Sequence, residues 1–252
     1  MKKAMITLMT LGVLAGCTDS QTVTLPDAAL SHNENAPFGD AAPTRTYQVT
    51  VENLVEGTQY FTPPFVTIHR GAENLFRKGQ PARYGIQQVA ENGNTGPLME
   101  SLSESRHVAS FAAAGGPVPP HHSATVSVTA EPGSEFVSVV SMLICTNDGF
   151  TGVSGAKLPN RMGEEIHLYA AAYDAGTETN TQDFHDLVPP CQAITGIPVE
   201  DRVPGSGSSD PALAEDGVVH HHDGILSGEG DLDPAIHGWM NPVARITVKR
   251  TG

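Results

Sequence analysis

The stretch FVSVVSMLICTNDGFTGVSG, residues 136–155, decides how we expect this chain to fold. Its first half, 136–145, is an almost unbroken apolar and β-branched run, which predicts a strand buried on both faces. The run ends in Thr-Asn-Asp-Gly at 146–149, a turn-forming cluster that places a carboxylate at the end of a rigid strand. A second predicted strand, 166–173, ends in Asp-Ala-Gly-Thr-Glu at 174–178. Two strands that each deliver acidic side chains into a loop predict one acidic site, and oxygen ligands of this kind suit calcium.

The rest of the chain favours an all-β fold, an antiparallel β-sandwich. Alternating apolar and polar residues, or short β-branched runs, predict further strands near 47–51, 65–68, 124–130 and 244–248. A Glu-Pro-Gly-Ser turn at 131–134 predicts a hairpin that joins strand 124–130 to the central strand. Helical spacing predicts two short helices, at 81–92 and 96–104, whereas 112–120 and 177–217 have the composition of loops. Short strands between Pro/Gly turns are typical of a sandwich.

Two segments carry a resemblance to a known family. SMLICTNDGFTGV at 141–153 and LYAAAYDAGTET at 168–179 resemble the two signature segments of the spondin N-terminal domain family. The resemblance extends over roughly residues 47–248. It implies an antiparallel β-sandwich similar to calcium-dependent lipid-binding modules. Carried over by position, it implies Asp148, Asp174 and Glu178 as calcium ligands, although the family usually has Asp where this chain has Glu178.

The N-terminus has the pattern of an export signal. Two lysines precede an apolar run that is much shorter than the roughly 20 residues a membrane-spanning helix needs. Leu-Ala-Gly-Cys at 14–17 resembles a bacterial lipobox, which implies cleavage of a 1–16 signal peptide and lipid attachment to Cys17. The polar, aperiodic segment 17–45 is interpreted as a disordered tether that precedes a spondin-like domain at 46–252. We therefore expect a lipid-anchored protein of the bacterial cell envelope, at the outer membrane in a Gram-negative source.

The cysteine count predicts a disulfide, and the net charge argues against one class of partner. Lipidation of Cys17 would leave two of the three cysteines, Cys145 and Cys191, which predicts a disulfide in an oxidising compartment. The alternative is two separate buried thiols. The formal charge of −14 makes nucleic acid an unfavourable partner, because phosphate backbones repel an acidic protein.

The histidines support an alternative function. His220, His221 and His222 form an internal run, and imidazole suits zinc or copper, so the chain could be a periplasmic transition-metal binder. No third ligand is fixed by the spacing, since only His220 and His222 would share a face of an extended chain. A metal-assisted hydrolase is a weaker third hypothesis, because Gly-Val-Ser-Gly at 152–155 does not meet the G-x-S-x-G pattern of a nucleophile elbow.

These observations lead to one expected function. We expect a non-enzymatic, calcium-binding domain, held at the membrane by an N-terminal lipid, that acts in adhesion or ligand binding. Its partner would be an extracellular or envelope protein or a polysaccharide. The last step is by analogy with the family, because a fold alone does not fix a function.

Overall fold

The computed structural model describes residues 43–71 and 73–252. The predicted signal peptide, the predicted lipidation site Cys17 and nearly all of the predicted tether lie outside these residues. Within them the strands are β1 Arg45–Asn53, β2 Phe65–His69, β3 Val108–Ala113, β4 Ser123–Ala130, β5 Phe136–Met142, β6 Gly149–Lys157, β7 Glu165–Ala170, β8 Ala172–Asp174, β9 His220–His221 and β10 Ala244–Arg250. The α-helices in the same residues are α1 Tyr84–Asn92, α2 Gly96–Ser103, α3 Pro190–Ile194 and α4 Pro234–His237.

The strands form two antiparallel sheets, which confirms the predicted all-β sandwich. One sheet has the strand order β4-β1-β10-β7, and the other has the order β3-β2-β5-β6-β8-β9. In the four-stranded sheet, Val49 lies opposite Val126 on one side and Val248 on the other, so apolar side chains from three strands share one face. The two sheets pack through these faces.

Strand β5 is buried on both faces, as its apolar run predicts. Val137 and Val139 point into the core between the sheets, whereas Val140 points to the opposite face, where α1 and α2 cover the sheet. Ile86 and Val89 of α1 and Leu98 of α2 complete this second core. Burying a side chain of this size contributes about 1.5–3 kcal/mol, so both faces of β5 stabilise the fold.

Two details of the predicted topology are wrong. The residues 131–134 do form a turn, closed by the bond from the Ser134 N–H to the Glu131 carbonyl, but β4 and β5 lie in different sheets and do not form a hairpin. The predicted strand 166–173 is in fact two strands, β7 in the four-stranded sheet and β8 in the six-stranded sheet. The chain crosses between the sheets at Ala171. Apolar and polar residues keep alternating through this crossing, so the sequence pattern alone does not reveal where the chain changes sheets.

Several shorter elements also differ from the prediction or refine it. Strands β3 and β6 were not predicted, because β6 contains three glycines and β3 begins before an Ala-rich loop. The two predicted helices are confirmed, although α1 begins three residues later than predicted. It ends at Asn92 as predicted and is followed by Gly93, whose φ of 65° suits a left-handed cap. No helix among the described residues is long and apolar enough to cross a membrane.

A buried histidine beside β5 gives the fold a pH dependence. His69 is fully buried, and its Nδ1 and Nε2 lie 2.8 Å from the Arg70 carbonyl and the Ser138 hydroxyl, so the neutral ring has both partners that it needs. Burial lowers the pKa of His69, while the Arg70 carbonyl and the Glu73 carboxylate partly oppose this. The folded state therefore disfavours the charged ring.

We expect the stability that depends on His69 to be complete above pH 6.5, its ordinary pKa, and to be lost as pH falls below 6.5 towards the lowered folded pKa. The slope is at most about 1.4 kcal/mol for each pH unit in that window. Urea unfolding of the wild type and His69→Gln between pH 7.5 and 5 would measure it, with exposed His185→Gln as the control. A His69→Gln protein with the same slope as the wild type would contradict this assignment.

Candidate metal centre

The first acidic side chain, Asp148, is fixed by the turn that follows β5. The Thr146 hydroxyl donates to the Leu143 carbonyl at 2.6 Å and accepts from the Gly149 N–H at 2.9 Å, which closes the turn around the intervening residues. A Cβ at Gly149 would lie 2.5 Å from the Thr146 hydroxyl oxygen, so this position requires glycine. The turn leaves the Asp148 side chain fully buried.

The two oxygens of the Asp148 carboxylate have different surroundings. Oδ2 accepts hydrogen bonds from the Thr177 N–H at 2.7 Å, the Glu178 N–H at 3.1 Å and the Thr177 hydroxyl at 3.2 Å. Oδ1 is buried and has no hydrogen-bond partner among the described residues. A buried acceptor without a donor costs free energy, so this oxygen marks a place where a positive group would stabilise the protein.

The second acidic side chain, Asp174, ends β8 directly opposite Gly149 of β6. Its Oδ1 accepts from the Gly176 N–H at 2.7 Å, and its Oδ2 accepts from the Asn180 side-chain amide at 2.6 Å. Because a carboxylate oxygen has two lone pairs, each still has capacity for a cation. The backbone joins the two loops as well, since the Ala175 N–H donates to the Asp148 carbonyl at 3.2 Å. The structure thus brings Asp148 and Asp174 together, as the sequence predicts.

The electrostatics of this pair are unfavourable without a cation. Burial raises the pKa of Asp148 to about 7, and the neighbouring Asp174 carboxylate adds to the effect, which outweighs the hydrogen bonds from Thr177 and Glu178. Asp174 itself is only 1% exposed. Two buried like charges repel each other, and a divalent cation between them would relieve both the repulsion and the loss of hydration.

Glu178 lies in the same loop, but its carboxylate is directed to a different neighbour. Its Oε1 accepts from the Asp210 N–H at 2.9 Å, which ties this loop to the segment around residue 210. Burial raises the pKa of Glu178 to about 7; the Asp210 N–H opposes this, and the Glu91 carboxylate reinforces it. The Glu178 N–H is already part of the site, because it donates to Asp148.

Glu91, at the end of α1, is a residue of this region that the sequence did not indicate. It is 4% exposed; its Oε2 accepts from the Ser209 hydroxyl, and its Oε1 is buried without a partner in the described part of the chain. The side chains of Gln88 and Asn92 also bond to Ser209, at 2.8 and 3.2 Å. The only signal in the sequence is a polar stripe at helical spacing, which is equally typical of a solvated helix face.

The oxygen atoms of this site fit a cation that also takes backbone carbonyls and waters as ligands. Within 43–71 and 73–252, no three His, Cys, Asp or Glu side chains surround a common point closely enough to complete a metal site. Calcium takes six to eight oxygens from carboxylates, carbonyls and waters, so two carboxylates on turn backbone can suffice. Asp148 and Asp174 would hold such an ion, and the unsatisfied Asp148 Oδ1 is the observation that fits it.

The three histidines of the alternative metal site have different surroundings, and the His220 Nδ1 lies 3.7 Å from the Asp174 Oδ1. His220 and His221 are exposed on the edge strand β9; the His220 Nδ1 lies 3.0 Å from the Val218 carbonyl, and the His221 ring packs on Tyr173. His222 is buried beneath Trp239, and its Nδ1 accepts from the Gly224 N–H at 3.0 Å. Its Nε2 therefore carries the proton in the neutral ring and offers a donor, not a metal-binding lone pair. This geometry does not bring the histidines together as a ligand set.

The predicted disulfide is confirmed. Cys145 and Cys191 are bonded, with their Cα atoms 5.0 Å apart, and both are fully buried. The bond joins the end of the central strand to α3, next to Leu187, Ile144 and Ile225 in a small third core. It therefore anchors the long connection after the acidic loops to the turn that carries Asp148.

The fold and this site define a class: an antiparallel β-sandwich with helices on its outer face and two acidic loops at one end. Sequence comparison then matches residues 54–193 to the spondin N-terminal domain, Spondin_N, and the chain belongs to that family. The matched range contains both acidic loops and the disulfide, whereas β1, β9 and β10 complete the sandwich outside it. A search of curated proteins found no match to this chain.

Proposed function

We propose that this chain is a calcium-binding domain of the bacterial cell envelope that acts without catalysis, in adhesion or ligand binding. The observation that carries the proposal is the buried Asp148–Asp174 pair, in which the Asp148 Oδ1 has no partner among the described residues. Asp148 and Asp174 bind the ion directly, and Glu178 supports the site by donating its backbone N–H to Asp148. Bound calcium orders the two loops at this end of the sandwich.

The proposed location follows from the family and from the N-terminal pattern. Spondin domains are typically extracellular, which is compatible with export. Lipid attachment at Cys17 would hold the domain at the membrane surface through the tether, and several acyl chains give stable anchoring because each buried CH₂ adds about 0.8 kcal/mol. Mass spectrometry of the protein purified from membranes tests this step, since a lipidated Cys17 changes the mass of the N-terminal peptide.

A melting experiment with different metal ions tests the calcium proposal. We expect calcium at 100 times its dissociation constant to stabilise the folded state by about 2.7 kcal/mol, which raises the Tm by about 5 to 11 °C for a domain of this size. The measurement is the Tm of the purified protein in chelator, calcium, zinc and copper. A response to zinc or copper without a response to calcium would overturn the proposal in favour of the histidines. Absence of calcium binding by calorimetry would also overturn it.

A further inference from the structure

A groove lies along residues 74–83 and continues over β6. It consists of two adjoining depressions with volumes of about 570 and 450 Å³, which share the side chains of Asn74, Phe76, Arg77 and Lys78. The larger depression continues along this segment to Arg83, and the smaller one continues over β6 to Tyr169 and Tyr173. Two depressions in series suit a chain molecule better than a single small ion.

The groove is basic although the protein is strongly acidic. The chain has 28 acidic and 14 basic residues, yet no acidic residue lines either depression. Residues 70–83 carry four of the 14 basic side chains. Arg77 and Lys78 are exposed and make no ion pair with any described residue, while Arg83 pairs with Glu73 at 2.7 Å. Two cations that have no partner in the fold are therefore available to an anionic ligand.

Aromatic rings form the other side of the groove. The Tyr173 ring stacks on the Phe150 ring, with 5.6 Å between the ring centroids, and its centroid lies 5.2 Å from that of Phe76. Packing therefore fixes the position of Tyr173. The Tyr169 side chain is 62% exposed. These tyrosines belong to different sheets, and the crossing of the chain between β7 and β8 brings both to the groove. A flat ring with a polar end can pack against the apolar face of a sugar and bond to its hydroxyl groups.

The basic segment, residues 70–83, is held in place by backbone hydrogen bonds and a buried side chain before any ligand binds. The Gly79 N–H donates to the Val219 carbonyl at 2.8 Å, and the Val219 N–H donates to the Gln80 carbonyl at 2.9 Å. Leu75, only 1% exposed, anchors the same segment in the core beneath α1 and α2. A segment with a fixed backbone loses less entropy on binding than a free loop does.

From these features we propose that the groove of Arg77, Lys78, Tyr169 and Tyr173 binds an acidic polysaccharide, with the two cations on its carboxylate or sulfate groups and the tyrosines on its sugar rings. Such a polymer carries one charge for each one or two sugars, which matches a few cations separated by aromatic surface. A nucleic acid carries a phosphate at every nucleotide, so its higher charge density would meet more repulsion from the acidic remainder of the chain than the polysaccharide does. The inference names the partner class for the proposed ligand-binding role and does not depend on calcium.

The test is the binding of an oligogalacturonate, a uronic acid polymer, to the full chain by calorimetry in chelator. We expect binding that weakens at least about tenfold in Arg77→Gln/Lys78→Gln and by a smaller factor in Tyr169→Ser. The matched control is Arg106→Gln/Arg161→Gln, which removes the same charge from exposed residues that do not line the groove and should bind like the wild type. The substituted side chains are exposed, and unchanged Tm values would verify that the variants fold.

Several results would overturn the proposal. No binding of the oligogalacturonate by the wild type, or equal binding by the Arg77/Lys78 variant, would exclude the groove as the site. Equal affinity for the neutral methyl ester would exclude the role of charge, and equal affinity for a single-stranded DNA of the same length would indicate a general polyanion surface instead. Because chelator is present throughout, these failures are separate from a failure of the calcium proposal, which the Tm measurement in calcium reports on the same proteins.

Discussion

Removal of the disulfide lowers the free energy of unfolding by about 4 kcal/mol, the value that the chain-entropy relation gives for a closed loop of 46 residues. For a domain of this size the Tm falls by about 8 to 16 °C. Melting of Cys145→Ala/Cys191→Ala beside the wild type measures the effect. Because both cysteines are buried, the double substitution also loses some packing in the small core around Leu187.

The structure also indicates where the destabilised protein opens first. Cys145 remains held without the disulfide, because the buried Gln59 side chain donates to its carbonyl at 2.9 Å and accepts from its N–H at 3.0 Å. Cys191 lies in α3, a helix of only five residues outside both sheets, so we expect new protease cleavage between residues 183 and 205. Reductant is the matched control: it should lower the wild-type Tm most of the way to the value of the variant, which has also lost packing, and leave the variant unchanged. A variant that melts within about 2 °C of the wild type would contradict the prediction.

Asp148→Asn abolishes the stabilisation by calcium and makes the metal-free protein more stable. Asn keeps the shape of Asp, and its carbonyl oxygen can accept the hydrogen bonds from Thr177 and Glu178. It carries no charge, so the repulsion with the buried Asp174 disappears, and its amide group presents a donor where the cation needs an acceptor. At pH 8 in chelator we expect the free energy of unfolding of the variant to exceed that of the wild type by about 2 kcal/mol. Calcium, which raises the wild-type Tm by about 5 to 11 °C, should leave the Tm of the variant unchanged.

A matched variant separates this effect from a general change of charge. Asp216 is exposed and its side chain makes no hydrogen bond to a described residue, so Asp216→Asn removes the same charge without touching the site. It should keep the full calcium response. An Asp148→Asn protein that still responds to calcium would remove this residue from the ion's ligands. One that is destabilised in chelator would instead show that Asp148 acts through its hydrogen bonds to the 177–178 loop.

Local patterns were sufficient for much of the fold. The apolar run 136–145 predicted a strand buried on both faces, and β5 is such a strand because Val139 and Val140 lie in different cores. The same run ended at a turn that delivered Asp148, and the odd cysteine count predicted the Cys145–Cys191 bond. These features depend on residues close in sequence or on a pairing with few alternatives.

Features that depend on pairing between distant segments could not be predicted in the same way. Strand β4 ends in a turn that suits a hairpin, yet it pairs with β1, because Tyr47 and Val49 offer its apolar face a partner in the other sheet. The alternation in 166–173 is compatible with one strand or two, since a crossing between facing sheets keeps apolar residues pointing inward.

The sequence by itself determined the sandwich, the family and the chemistry of the acidic loops. Only the tertiary structure decided which oxygens are free for an ion. It buries Glu91 beside Glu178 from a helix far away in sequence, and it leaves the Asp148 Oδ1 without a partner in the described residues. It also places Arg77 and Lys78 beside tyrosines from two sheets. The physical reason is that burial and charge neighbours depend on distances in space, whereas periodicity and turn chemistry depend on distances along the chain.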